Sequence, residues 1–287
     1  MRVGAVFPQL EIGTDPGRIA EYARAVEALG YTHLVAYDHV LGADTSGRPG
    51  WRGPYTVRSA FHEVFVLLGY LAACTSRLEL ATCVLILPQR QTALVAKQAA
   101  ALDVLSGGRF RLGVGLGWNA VEYEALGENF QDRGRRFEEQ IALLRRLWTE
   151  ESVDFTGRWH RVDRAGINPM PVQRPIPLWI GADVDVAIRR AARLADGWFS
   201  HLTPDDRGRE DLERFREWAT ECGRDPASIG VEGRVHAHRG KQRWAADARA
   251  FADMGMTHLE FNTMGAGYTS VDDHIGALRA FREAIPV

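Results

Sequence analysis

The chain has almost no lysine. Of its 35 basic side chains only Lys97 and Lys241 are lysine, and the 35 stand against 37 acidic ones for a net charge of −2. So close a balance argues against nucleic acid or an anionic membrane as the main partner. The arginine bias reads as codon usage and says nothing direct about activity. Cysteine is scarce as well. Cys74, Cys83 and Cys222 are odd in number and widely spaced, so they make neither a disulfide framework nor a zinc knuckle, and a reducing cytoplasm fits them. No apolar run approaches the roughly 20 residues that span a bilayer. The apolar start, Met1 to Pro8, is too short for a signal peptide and reads as a first strand. No G-x-S-x-G, P-loop or H-E-x-x-H occurs, which weakens the main hydrolase and NTPase readings.

What is present is alternation. Short β-branched runs at 2–7, 32–37, 78–86, 110–115, 177–181, 197–200, 229–236 and 257–262 read as strands. Helical periodicity lies between and after them, at 16–29, 58–74, 91–105, 132–150, 184–195, 207–222, 241–254 and 271–284. Asp15-Pro16 supplies an N-cap and an N1 proline, and Gly30 ends that helix. One joint recurs: Gly30-Tyr31-Thr32-His33-Leu34 is echoed by Gly255-Met256-Thr257-His258-Leu259. Eight βα units in 287 residues point to an α/β fold, a closed (β/α)₈ TIM barrel, with a doubly wound open sheet as the alternative. With no linker or low-complexity tract, one domain over 1–287 is expected. Two segments are longer than barrel connections need, the Gly-rich 40–57 after strand two and 151–176 after the fourth βα unit. Both read as lids or substrate loops.

In a parallel barrel the site lies at the carboxyl ends of the strands. The residues leaving the strands there are Pro8-Gln9, Asp38-His39, Cys83 to Pro88, Gly117-Trp118-Asn119, Gly181-Ala182-Asp183, Ser200-His201, His236 with His238, and Asn262. A histidine beside a carboxylate, as in Asp38-His39, suits general acid–base work or donation to a cofactor ring, and equally a loop cap. Gly113-Val114-Gly115-Leu116-Gly117-Trp118 fails the dinucleotide spacing because Trp118 stands where the third glycine belongs. His236-Ala237-His238 would suit a metal, yet a metal-dependent hydrolase needs more ligands than these strand ends offer, so no metal is expected. Neither Cys74 nor Cys83 has the surroundings of a nucleophile.

Asp38-His39, Leu80 to Leu85, Ala96-Lys97-Gln98 through Leu102 to Arg109, and Leu112 to Asn119 together resemble the bacterial luciferase-like monooxygenase superfamily. Pro169 to Gly181 and Ala195-Asp196-Gly197-Trp198 are similar too, so the matches run from about residue 3 to 200. Within that superfamily the chain most resembles the branch using the 8-hydroxy-5-deazaflavin coenzyme F420 rather than FMN. The resemblance implies a barrel whose mouth holds the ring. Asp38 and His39 would face ring or substrate, with His39 as the catalytic proton donor. Thr82-Cys83-Val84 would form the bulge that backs the ring, with Cys83–Val84 as a cis peptide. Gly181-Ala182-Asp183 would meet the cofactor phosphate, Asp183 also capping the next helix, and Ser200 and His201 would assist. Trp118 and Asn119 would complete the cofactor site, and Trp51, Tyr55 and Trp118 would touch substrate.

One departure matters. Sugar-phosphate dehydrogenases of this superfamily carry a glutamate where this chain has Trp118, so oxidation of a sugar phosphate is not supported. The nearest carboxylate, Glu122, reads as a cap or salt-bridge partner. The expectation is therefore a cytoplasmic F420-dependent oxidoreductase, acting on a small molecule and assembled as a homodimer. An FMN-dependent monooxygenase is the alternative and a metal-dependent hydrolase the distant one.

Overall fold

In the computed structural model, which describes residues 1–285, the eight strand runs are the staves of a closed parallel barrel. The last two residues of the domain expected over 1–287 lie outside the described residues. In chain order the elements are β1 (Arg2–Val6), α1 (Pro16–Ala28), β2 (His33–Ala36), α2 (Val64–Cys74), β3 (Glu79–Thr82), β4 (Leu85–Ile86), α3 (Thr92–Ser106) and β5 (Phe110–Gly115). There follow α4 (Ala120–Ala125), α5 (Arg133–Thr149), β6 (Val153–Thr156), β7 (Arg161–Ala165), β8 (Leu178–Ala182), α6 (Asp185–Leu194) and β9 (Gly197–Ser200). The chain ends with α7 (Asp206–Glu221), β10 (Gly230–His236), α8 (Lys241–Asp253), β11 (His258–Asn262) and α9 (Val271–Ala284). The ring runs β1, β2, β3, β5, β8, β9, β10, β11 and back to β1, while β4 prolongs the third stave against β5.

Local chemistry explains where the elements differ from the sequence expectation. The helix expected from residue 58 starts only at Val64, because the Glu63 carboxylate caps it by accepting Val66 N–H at 2.9 Å. The strand expected over 78–86 is split in two at the Cys83–Val84 peptide, which is cis as the resemblance implied. Segment 151–176 contains an unforeseen antiparallel hairpin, β6–β7. Its turn is drawn onto the outer helices by Glu139 of α5, which accepts the N–H groups of Arg158, Trp159 and His160. Trp159 Nε1 then donates to Asp132 at 3.1 Å. Phe155 and Trp159 therefore do not line the barrel mouth, and of the two long segments only 40–57 reaches it. Arg109 is structural, its guanidinium donating to the carbonyls of Ala72, Thr75, Leu78 and Ser106 at the foot of the barrel.

Apolar side chains fill the layer between strands and helices, but the barrel's interior is charged. Buried Arg111 donates to Glu232 at 2.9 Å, lies 3.0 Å from Glu79, and covers the Trp179 ring at 4.1 Å. Burial alone would raise Glu232, yet Arg111 and His33 outweigh it and hold the carboxyl well below its usual range. The recurring Thr-His joints supply two rings of this layer. Thr32 Oγ1 and Thr257 Oγ1 lie 2.9 and 2.8 Å from Nδ1 of His33 and His258, turning both imidazoles inward. Gly4 makes the room, since a Cβ there would stand 2.1 Å from His33 Nε2.

Burial pushes His258 down to about 3 and the fully buried His274 down to about 4. Unfolded histidine titrates near 6.5, so between these values the unfolded chain binds more protons than the folded one. Stability is expected to fall as pH drops from about 6.5 towards 4, with His274 contributing a slope of up to about 1.4 kcal/mol per pH unit. Denaturant titrations across that range check this, and His274→Gln should flatten the slope.

Candidate active site

A cavity of about 520 Å³ opens at the carboxyl ends of the staves. Its size is that of a ligand pocket rather than a packing void. One wall is the break in the third stave. Val84 projects there against two glycines of neighbouring strands: a Cβ on Gly115 would come within 2.5 Å of Val84 Cγ2, and one on Gly181 within 2.8 Å of Cγ1. The glycine series of β5 thus provides packing space for Val84 and its neighbours rather than a dinucleotide nest. The thiol of Cys83, buried beside Val84, is pushed well up by desolvation, so it stays protonated and is no nucleophile.

The opposite wall holds His39 at the end of β2. Its ring is packed edge-on by Tyr55 at 5.0 Å, Phe61 at 4.9 Å and Trp118 at 5.6 Å between centroids. Nδ1 lies 3.1 Å from Glu122 Oε2, and among the described residues no protein group bonds Nε2. Glu122 is fully buried in the first turn of α4. Its Oε1 accepts Val40 N–H at 2.5 Å and Leu41 N–H at 3.1 Å, and Oε2 accepts Gln89 Nε2 at 3.2 Å. Burial would raise this carboxyl, but its bonds to His39, Leu41 and Val40 outweigh it and hold it below its ordinary value. The sequence reading of Glu122 as a cap or salt-bridge partner matches these bonds, without naming His39 as the partner. The available signal was its place in the first turn of a helix four residues beyond Trp118, where the helix dipole favours a carboxylate.

Asp38 lines the cavity too, with both oxygens committed: Oδ1 accepts Arg90 at 2.7 Å and Oδ2 accepts Ile86 N–H at 3.1 Å. It clamps the broken stave rather than offering a free carboxylate. Gly181, Ala182, Asp183, Ser200 and His201 also line the cavity. Asp183 does not cap α6. Val184, in extended conformation, takes the cap position, and no side chain bonds the first amides of that helix. Asp183 instead lies 3.9 Å from His201 Nδ1, both side chains being exposed.

Three expected residues do not line the cavity. Thr82 faces out of the barrel and exchanges hydrogen bonds with Gly113 O and N at 2.6 and 3.0 Å. Asn119 is buried at the cap of α4, its amide reaching Leu41 O at 3.4 Å. Trp51 sits behind Trp118, ring centroids 5.6 Å apart, while Tyr55 is in the wall. Among the lining residues not anticipated are two cations, Arg234, ion-paired with Glu260, and Arg133 at the start of α5. Strand alternation could have found Arg234, which faces the same way as His236 two positions on. The rings of His236 and His238 are 5.0 Å apart, but among the described residues no three His, Cys, Asp or Glu side chains group as a metal site.

The luciferase-like monooxygenase family model matches residues 2–283. An uncharacterised protein of Mycobacterium tuberculosis is 36% identical over 231 residues, covering 78% of this chain and 80% of its own. An F420-dependent hydroxymycolic acid dehydrogenase of the same organism is 30% identical over 252 residues, 86% of this chain and 65% of its own. Among solved structures, an F420-dependent secondary alcohol dehydrogenase in complex with an F420–acetone adduct superposes with a TM-score of 0.77. It is 19% identical, with 99% of this chain and 98% of that one covered, a likeness of fold.

The Val84 wall generates a test. Gly115→Ala should push Val84 into the cavity, at an overpacking cost of about 1–3 kcal/mol, while the barrel still folds. Affinity for a ligand seated on Val84 should then fall about 5- to 150-fold, read by titrating F420 against tryptophan fluorescence with circular dichroism as the folding control.

Proposed function

Because the chain belongs to the luciferase-like monooxygenase family, we propose that it is an oxidoreductase exchanging a hydride between coenzyme F420 and a small organic substrate. The observation that carries this reading is the pairing, across one cavity, of a protruding Val84 wall with a histidine whose Nε2 is free. Gly115 and Gly181 seat the Val84 side chain, on which a flat ring would rest, and the uncapped first turn of α6 offers N–H groups to its phosphate. When bound, the deazaflavin supplies a two-electron hydride centre at C5.

The chain's own residues do the rest. Val84 and Cys83 shield one side of the cavity, so substrate approaches from the other. His39 Nε2 takes or returns the proton at the substrate oxygen. Tyr55 and Trp118 wall that side against water and favour a substrate with apolar substituents. An FMN-dependent monooxygenase is the second reading, favoured by the family's description and served by the same ring and phosphate positions. Among the described residues no cluster of three metal-ligating side chains supports the hydrolase reading. The proposal includes a cytoplasmic homodimer. Its support is three free cysteines and the apolar side chains Val66, Leu94 and Leu105, exposed by 72%, 51% and 79% on α2 and α3. No helix among the described residues is long and apolar enough to cross a membrane.

Fluorescence titration separates the readings. F420 is expected to bind with micromolar affinity or better and FMN at least about tenfold more weakly, about 1.4 kcal/mol. The reverse order moves the protein to oxygen chemistry, and binding of neither overturns the redox reading. His39→Asn should leave F420 affinity within a few-fold and lower turnover by about 10²- to 10⁴-fold. Sedimentation should give twice the 32.0 kDa chain mass.

A further inference from the structure

We propose that Glu122 is the positioning residue of this site: it fixes the Nδ1–H tautomer of His39, and thereby makes Nε2 the atom that exchanges a proton with substrate. The assignment of tautomer rests on geometry alone; its use in turnover rests on the hydride-transfer reading.

Three donors besides His39 converge on the Glu122 carboxylate, namely the Val40 and Leu41 amides and the Gln89 side chain. A carboxylate so surrounded accepts only, as its lowered pKa also indicates, so the His39 nitrogen 3.1 Å away must donate. That commits the ring's one neutral-state proton to Nδ1 and leaves a lone pair on Nε2, directed to the cavity that His39 lines. The other groups near His39 do not compete for the role. Asp38 is held by Arg90 and Ile86 N–H, burial raises the Tyr55 phenol, and Phe61 and Trp118 carry no acid. In the oxidising direction the substrate O–H bond breaks towards Nε2 and the carbinol C–H pair leaves as hydride to the bound deazaflavin, forming C=O. The positive charge gained by the imidazole lies against the Glu122 carboxylate. In the reducing direction the same proton returns to the oxygen.

The test is Glu122→Gln, isosteric but with one face a donor. The Val40 and Leu41 amides need an acceptor, so they hold the new amide oxygen and its NH₂ turns to His39, which must then present a bare Nδ1. Long-range ¹H–¹⁵N spectra of ¹⁵N-histidine protein without cofactor read this directly, the His39 signals identified by their loss in His39→Asn. Wild type should show Nδ1–H, and Glu122→Gln should show Nε2–H. With F420 and a substrate, kcat/KM should fall about 10²- to 10⁴-fold while F420 affinity changes less than about threefold. A wild-type Nε2–H tautomer overturns the proposal even if the variant does not fold. So does an unchanged tautomer in a folded Glu122→Gln, or unchanged kcat/KM. Failure to bind F420 would strike the hydride reading instead, with the tautomer still read on the free protein.

Discussion

One buried carboxylate ties the mouth of this barrel together. Glu122 comes from α4, beyond the fourth stave; its donors His39, Val40 and Leu41 lie beyond the second, and Gln89 beyond the third. Three consecutive strand-to-helix connections are therefore fixed to one another through a single side chain. An ionised group this deep costs several kcal/mol in lost hydration unless every lone pair is met. Here two backbone amides, a side-chain amide and an imidazole meet them. The arrangement of the 40–57 loop follows, since the residues that start it are those Glu122 holds, and Tyr55 and Pro54 reach the cavity from there.

The floor below obeys the same rule on a larger scale. Arg111 with Glu79 and Glu232, and Arg234 with Glu260, put paired charges inside the barrel where an apolar plug would also have served. Such pairs are weak evidence for stability, because their attraction mostly repays their own desolvation. What they supply is a rigid polar base. The Arg234 guanidinium contacts Cys83 Sγ at 3.5 Å and stands over the Tyr37 ring at 5.3 Å, so the residue that backs the cavity is braced from beneath by an ion pair.

How much of this was legible in the sequence depended on distance along the chain. The eight staves fell within a residue or two of the hydrophobic runs, because strand periodicity and glycine joints are local signals. The residues of the family strings Asp38-His39, Cys83-Val84 and Gly181-Ala182-Asp183 come together in the lining of one cavity. The errors came from orientation and long-range pairing. Thr82 was placed with Cys83 in the site, yet neighbours on a strand face opposite ways, and Thr82 belongs to the outer side. Segment 151–176 looked like a lid because it is longer than a barrel connection needs, whereas the carboxylate that draws its hairpin outward, Glu139, lies on α5 and makes no local pattern. Glu122 was legible as a cap or salt-bridge partner, but the groups it meets were not, for a similar reason. Its partners are 33 to 83 positions away.

The placement of that carboxylate also bears on what the site can do. With Trp118 in the wall, the acid lies behind the histidine instead of beside it, so the atom of this pair that faces the cavity is Nε2, next to an aromatic surface. The cavity also has an exposed titratable pair, Asp183 and His201, 3.9 Å apart. Under the proposed function, oxidation of an alcohol, in which the carbon gives hydride to the cofactor and the hydroxyl gives its proton to a base, asks one base of the protein, and His39 Nε2 would be that base. The aromatic wall and the buried glutamate behind the histidine both follow from having tryptophan at position 118 and the acid at position 122.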